Sequence, residues 1–171
     1  MSGAATYQQL LQKVIDEVIS PSAADVDHAA RCPRAAIDAM SKAGLLALSS
    51  SKGVGGMGEG MRAASYVVEK IAEACGSTAM IVCMHYVATA VIEKHGAQAI
   101  RRDIAAGKHL STLAFSEAGS RSHFWAPVGT AAQSNGHIFL DNKKSWVTSA
   151  DQADSYVWSS KPVAGDGAST I

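Results

Sequence analysis

From Tyr7 the apolar positions fall at Tyr7, Leu10, Leu11, Val14, Ile15, Val18 and Ile19, the three-and-four spacing of a helix with one buried stripe. Ser20-Pro21-Ser22 should stop it. A second helix is predicted to open with Pro33 in its first turn, carry Ala36, Ile37 and Met40, and close at Gly44. Leu45-Leu46-Ala47-Leu48 reads as a short buried connector, and the Ser- and Gly-rich stretch from Ser49 to Gly60 as a loop. Helical spacing resumes from Met61 to Ala74. Ser77 is the expected N-cap of the most apolar segment, Ala79 to Ile92, whose lack of charge predicts a helix buried on several sides and ended by Gly96. A short helix from Ala97 to Ala106 stops at Gly107.

After Gly107 the period changes. Thr112-Leu113-Ala114-Phe115 is strand-like, and Asn135-Gly136 between two extended runs is a strong hairpin signal. Further strands are expected at His137 to Leu140, Ser145 to Thr148 and Ser155 to Trp158, and Ala168-Ser169-Thr170-Ile171 reads as a strand beginning. The fold class that follows is α+β: an all-helical N-terminal domain over 1–110 joined to an incomplete antiparallel β-domain over 111–171.

Composition narrows the function classes. Hydrophobic residues at 47% against 18% charged describe a chain that folds, since disorder needs the reverse balance. Lys plus Arg equal Asp plus Glu, 15 against 15, without a basic block, so nucleic acid is not an expected partner. No apolar run reaches the roughly 20 residues of a membrane span, and the first five residues do not read as a signal peptide. A soluble cytoplasmic protein is expected. Cys32, Cys75 and Cys83 fit neither a disulfide framework nor a zinc site, and the six histidines show no ligand spacing. Buried reduced thiols and no metal are expected.

Gly53-Val54-Gly55-Gly56-Met57-Gly58 satisfies G-x-G-x-x-G, the pattern that presents backbone N–H groups to a pyrophosphate after a strand of a βαβ unit. Helical patterns lie on both sides of it here, so a plain loop is expected. His85 and Met84, on the apolar helix, are expected to fill the core.

Two segments of the β half carry chemistry. Leu113-Ala114-Phe115-Ser116-Glu117-Ala118-Gly119-Ser120-Arg121-Ser122 is followed, about thirty residues on, by Lys144-Ser145-Trp146-Val147-Thr148-Ser149-Ala150. They are similar to the flavin segment A-L-T-E-P-x-A-G-S and the K-x-W-I-T-N motif of the acyl-CoA dehydrogenases, and the count between them fits that family. Weaker landmarks precede them in the family's order: Ser41 to Leu46, Gly55 to Gly58, Val68 to Ser77, His95-Gly96 and Ala106-Gly107-Lys108. The chain therefore resembles the acyl-CoA dehydrogenase family over nearly its whole length, which implies an α-domain, a central β-domain and a final helical bundle, the last absent here.

The resemblance implies FAD as cofactor, an acyl-CoA substrate, α,β-dehydrogenation, a homotetramer or other homo-oligomer, and an electron-transfer flavoprotein as redox partner. An isoalloxazine needs an aromatic wall and a few oriented polar groups. Trp146 is the expected wall. Ser116 corresponds to a threonine at the pyrimidine end, Val147 and Thr148 to groups near the flavin N5 edge, and Leu113 and Phe115 to one lining face. Ser122 corresponds to a serine near the phosphates and the substrate's pantetheine arm. Ala118, Arg121 and His123 stand where the family usually has Pro, Gly and Asp, so a simple straight-chain fatty acyl thioester is not expected. The family's base, a glutamate, falls beyond Ile171; Glu117 is read as structural, and no catalytic residue is assigned. Two other readings stay open: a flavin-dependent monooxygenase of the same fold, and a non-catalytic partner subunit.

Overall fold

The computed structural model describes residues 5–120, 123 and 126–163. Helix α1 (Tyr7–Val14) begins at a reciprocal cap, in which Gln9 N–H donates to the Thr6 hydroxyl at 3.3 Å and Thr6 N–H donates to the Gln9 side chain at 3.0 Å. The expected stop at Ser20-Pro21-Ser22 is not there. A π-turn over Ile15–Ile19 leads directly into α2 (Ser20–His28), placing Pro21 in a first turn where its missing N–H is tolerated. The Ser22 hydroxyl donates to the carbonyls of Val18 and Ile19, which holds that irregular turn closed.

Helix α3 (Arg34–Lys42) follows Pro33 and ends, as read, at Gly44, whose φ of +74° a Cβ would oppose. Leu45–Ala47 forms a buried 3-10 turn, and the Ser/Gly loop contains another at Lys52–Val54. Helix α4 (Met61–Ala72) packs along α5 (Gly76–His95), and α6 (Gln98–Ala105) closes the helical half. The cap of α5 is Cys75 rather than Ser77: its sulfur accepts from Thr78 N–H at 3.5 Å and from the Thr78 hydroxyl at 3.2 Å. By length and mean hydropathy α5 could cross a membrane, contrary to the expectation that no segment would reach that size. Its buried residues include Thr78, His85 and Thr89, and its flanks meet α4 and β1 (Ser111–Ala114), which is how a core helix is used.

The principal core gathers Leu11, Ile15, Ile19, Ile37, Met40, Leu48, Val67, Ile71 and Val82. Tyr86 completes it by donating its hydroxyl to the Leu45 carbonyl at 2.7 Å. His85, fully buried, ties three elements: its Nδ1 accepts from Ser111 N–H at 3.1 Å and its Nε2 meets the Leu46 carbonyl at 3.0 Å. Met84, its neighbour, is only partly buried.

The β half differs from expectation in pairing. Strand β2 (Thr130–Ser134) and β3 (His137–Asp141) form the hairpin read from Asn135-Gly136, both with positive φ as its tight turn requires. Strand β1 instead pairs in parallel with β4 (Ser155–Trp158), so antiparallel describes the hairpin and not this pair. The long connection 115–154 gives the chain length for that crossover. The strand expected at Ser145 to Thr148 is a turn, because Trp146 and Ser149 adopt φ of +56° and +58°. The β1–β4 pair rests on α5 and α6 through Ala88, Ile92, Ile104 and Val157. Of the cysteines, all unpaired, only Cys75 is buried; Cys32 and Cys83 are partly exposed.

Candidate functional site

The two segments singled out in the sequence meet at the end of β1. Ser145 N–H donates to the Ser116 carbonyl at 2.8 Å, and Glu117 faces Lys144 as an isolated antiparallel bridge. Beneath the backbone lies an ion pair of Lys144 Nζ with Glu117 Oε1 at 2.6 Å, whose side chains are 2% and 1% exposed. Each oxygen of the carboxylate is occupied twice. Oε1 also accepts from the Asn142 amide, while Oε2 accepts from Val128 N–H at 2.6 Å and Gly129 N–H at 3.3 Å. Lys144 further donates to the Ser159 carbonyl at 2.6 Å and lies 5.1 Å from the Trp158 ring centroid. Gly129 is required by this packing, since a Cβ there would lie 1.5 Å from the Asn142 amide nitrogen.

Burial alone would push the Glu117 carboxyl upward; donation from Lys144, Asn142, Val128 and Gly129 outweighs it and holds the group at about 2. A carboxylate so saturated is no proton acceptor near neutral pH. The structural reading of Glu117 holds.

From this anchored base the chain turns outward. Trp146, next but one after Lys144, has its side chain in solvent at 94% exposure. Large aromatic side chains are rarely left so bare, and a tryptophan in the left-handed region is rarer still. Thr148 and Ser149 then border a cleft of about 650 Å³ that they share with Ser77 and Met80 of α5 and with Arg31 and Cys32 beyond α2. The Ser149 hydroxyl is buried without a hydrogen-bond partner among the described residues. Burial pushes the Cys32 thiol up, which keeps it protonated at the cleft wall.

Leu113 and Phe115 share a face, as expected from their spacing, but that face packs against Ala88, Ile92, Ile104 and Val157, and both are partly buried. Val147 is half-buried between Trp146 and Thr148. Ser122, with Arg121, lies outside the described residues. The structure thus ties the Ser116 segment to the Ser145 segment by one backbone hydrogen bond, with Trp146, Val147 and Thr148 following it in the chain, and packs Leu113 and Phe115 against the second core cluster. Sequence reading missed the roles of Asn142, Lys144 and Gly129. The signal available was the pair of opposite charges inside the two segments.

The Gly53–Gly58 stretch does not follow a strand: the element before it is the 3-10 turn Leu45–Ala47, and a second 3-10 turn, Lys52–Val54, runs into its first two residues. Gly56 is needed for packing, because a Cβ would fall 2.2 Å from the Ser50 carbonyl oxygen.

A family profile described as Acyl-CoA dehydrogenase, N-terminal domain, matches residues 4–107. The mitochondrial short-chain specific acyl-CoA dehydrogenase of Homo sapiens is 31% identical over 160 residues, covering 89% of this chain and 39% of that protein. The chain spans about two fifths of the length of the curated relatives it matches. In fold it is similar to butyryl-CoA dehydrogenase from Megasphaera elsdenii, with a TM-score of 0.76 at 20% identity over 94% of this chain and 45% of that one. It is equally similar to the methanesulfinate monooxygenase of Pseudomonas fluorescens, with a TM-score of 0.77 at 21% identity over 91% of this chain and 39% of that one.

Proposed function

The chain belongs to the acyl-CoA dehydrogenase family of flavoprotein oxidoreductases, and from that premise we propose that it supplies part of an FAD site for the α,β-dehydrogenation of an acyl-CoA thioester. The observation that carries the proposal is the junction of Ser116 with Ser145, from which Trp146 is held bare and Thr148 borders a cleft with α5.

The residues present fit a flavin. The exposed indole of Trp146 offers a planar apolar surface, Ser116 and Thr148 bring hydroxyls in the two adjoining segments, and the Ser149 hydroxyl is buried without a partner among the described residues. When bound, FAD supplies the acceptor for the hydride leaving the substrate's β-carbon. The chain's own contribution is to orient and to exclude water. Glu117, saturated by its four donors, takes no part in proton removal. Ala118 and His123, where the family usually has Pro and Asp, support a substrate other than a simple straight-chain acyl group. An electron-transfer flavoprotein as redox partner and a homo-oligomeric assembly follow from the same reading.

The test is a titration of the 171-residue protein with FAD, read by quenching of flavin and tryptophan fluorescence. We expect weak binding, reduced in Trp146→Ala by a factor of tens: one covered indole face of roughly 100 Å², at about 25 cal/mol per Å², is about 2.5 kcal/mol. Absence of binding, or binding indifferent to Trp146, overturns the proposal. A monooxygenase shares this fold, and a second reading, oxygenation by reduced flavin, is therefore tested beside the first. In the intact protein, anaerobic bleaching of the flavin by an acyl-CoA supports dehydrogenation, and dependence on a flavin reductase supports oxygenation.

A further inference from the structure

We propose that Glu117 and Lys144 are positioning residues whose buried ion pair fixes the direction in which Trp146 is presented. The inference rests on the FAD reading above for its functional consequence, though not for its geometry.

Four other ion pairs occur among the described residues, and in each both side chains are at least 16% exposed. Only Glu117–Lys144 is buried on both sides. A buried ion pair is a poor device for stability alone, because apolar residues of the same volume often serve as well or better; its distinctive property is directional hydrogen bonding. Here the directions converge from four separate stretches: Glu117 itself, the backbone of Val128 and Gly129, the side chains of Asn142 and Lys144, and the carbonyl and hydroxyl of Ser159.

The placement of the cluster explains what it would position. The Glu117–Lys144 bridge adjoins the Ser145–Ser116 hydrogen bond, and the backbone leaves it directly into the φ of +56° at Trp146. A non-glycine residue stays in the left-handed region only where its surroundings over-determine it. Trp146, with its side chain in solvent, has no packing of its own to do so. The constraint has to come through the backbone, and Lys144 is the nearest side chain locked in place.

The test uses the 171-residue protein carrying 5-fluorotryptophan, with the ¹⁹F resonance of Trp146 assigned by Trp146→Phe and the fold of the helical half followed by far-ultraviolet circular dichroism. Lys144→Met keeps the aliphatic stem and removes the donors. We expect the helical signal to persist, the Trp146 resonance to shift or broaden, and the FAD dissociation constant to rise at least tenfold, with both effects largely restored by Lys144→Arg. Should Lys144→Met fail to fold, Glu117→Gln carries the test, since it keeps shape and one acceptor; the same displacement of the Trp146 resonance is expected. A folded variant whose Trp146 resonance is unmoved overturns the positioning role. Failure of the wild-type protein to bind FAD would overturn the flavin reading instead, and the fluorine arm would still decide this one.

Discussion

Removing the titration of His85 should flatten the acid limb of this protein's stability curve. The imidazole is completely buried, and because Ser111 N–H can only donate to Nδ1, the proton sits on Nε2 and is given to the Leu46 carbonyl. Burial, first of all, and then the nearby charge of His109 disfavour the imidazolium, while the hydrogen bond to Leu46 partly opposes them; the group is held at about 4. The ordinary value in the unfolded chain is about 6.5. Between those limits the unfolded state binds the extra proton, so stability is full above pH 6.5 and falls as the pH drops toward 4. Two and a half pH units at about 1.4 kcal/mol each amount to about 3.5 kcal/mol, of which about 3 kcal/mol is lost by pH 4, where the folded-state group is half protonated. The perturbation is His85→Gln, which can accept at one atom and donate at another but does not titrate. Urea unfolding of both proteins between pH 7.5 and 4 gives the difference, in which the shared carboxylates cancel. The wild type should lose about 3 kcal/mol more than the variant over that range. Curves parallel to within about 0.5 kcal/mol would refute the neutral buried histidine.

Two further predictions concern the helical half. In the glycine loop, Gly56→Ala should destabilise by about 1–3 kcal/mol or more, since its Cβ meets the Ser50 backbone, whereas Gly53→Ala, with nothing within 4 Å, should be neutral or stabilising by up to about 1 kcal/mol. Equal thermal shifts for the two would mean the loop is not packed as described. Tyr86→Phe removes the 2.7 Å hydrogen bond to Leu45 and should cost about 1 kcal/mol in urea unfolding, because the Leu45 carbonyl keeps the Leu48 N–H. A loss above about 3 kcal/mol would show that carbonyl to be stranded by the change.

The helical half was legible because its signals are local. Apolar spacing located α1, α3, α4 and α5, and Gly44 and Gly107 ended their helices at positive φ, as only glycine does cheaply. It misled where local chemistry had a compensation out of view. Pro21 reads as a stop until a π-turn and the Ser22 hydroxyl absorb it, and Ser77 reads as a cap until the Cys75 sulfur takes that place. Parallel pairing of β1 with β4 left no trace at all, since which strands meet across 115–154 depends on packing against α5 rather than on either strand's own residues.

The strand predicted at Ser145 to Thr148 failed for a different reason, and that failure is informative. Trp, Val and Thr in sequence favour extended backbone, yet the chain spends two left-handed non-glycine residues, Trp146 and Ser149, to leave it. Each such residue costs on the order of 1 kcal/mol or more. Neither is offset by a local contact: Trp146 stands in solvent, and the buried Ser149 hydroxyl lacks a partner among the described residues. The segment breaks its own propensity, exposes its largest side chain and is joined to a buried ion pair. Conflicts between local preference and observed backbone concentrate where function has been selected over stability. Here the conflict falls on the same residues that the flavin motif singles out, though it was found from backbone angles and exposure and the motif from residue order.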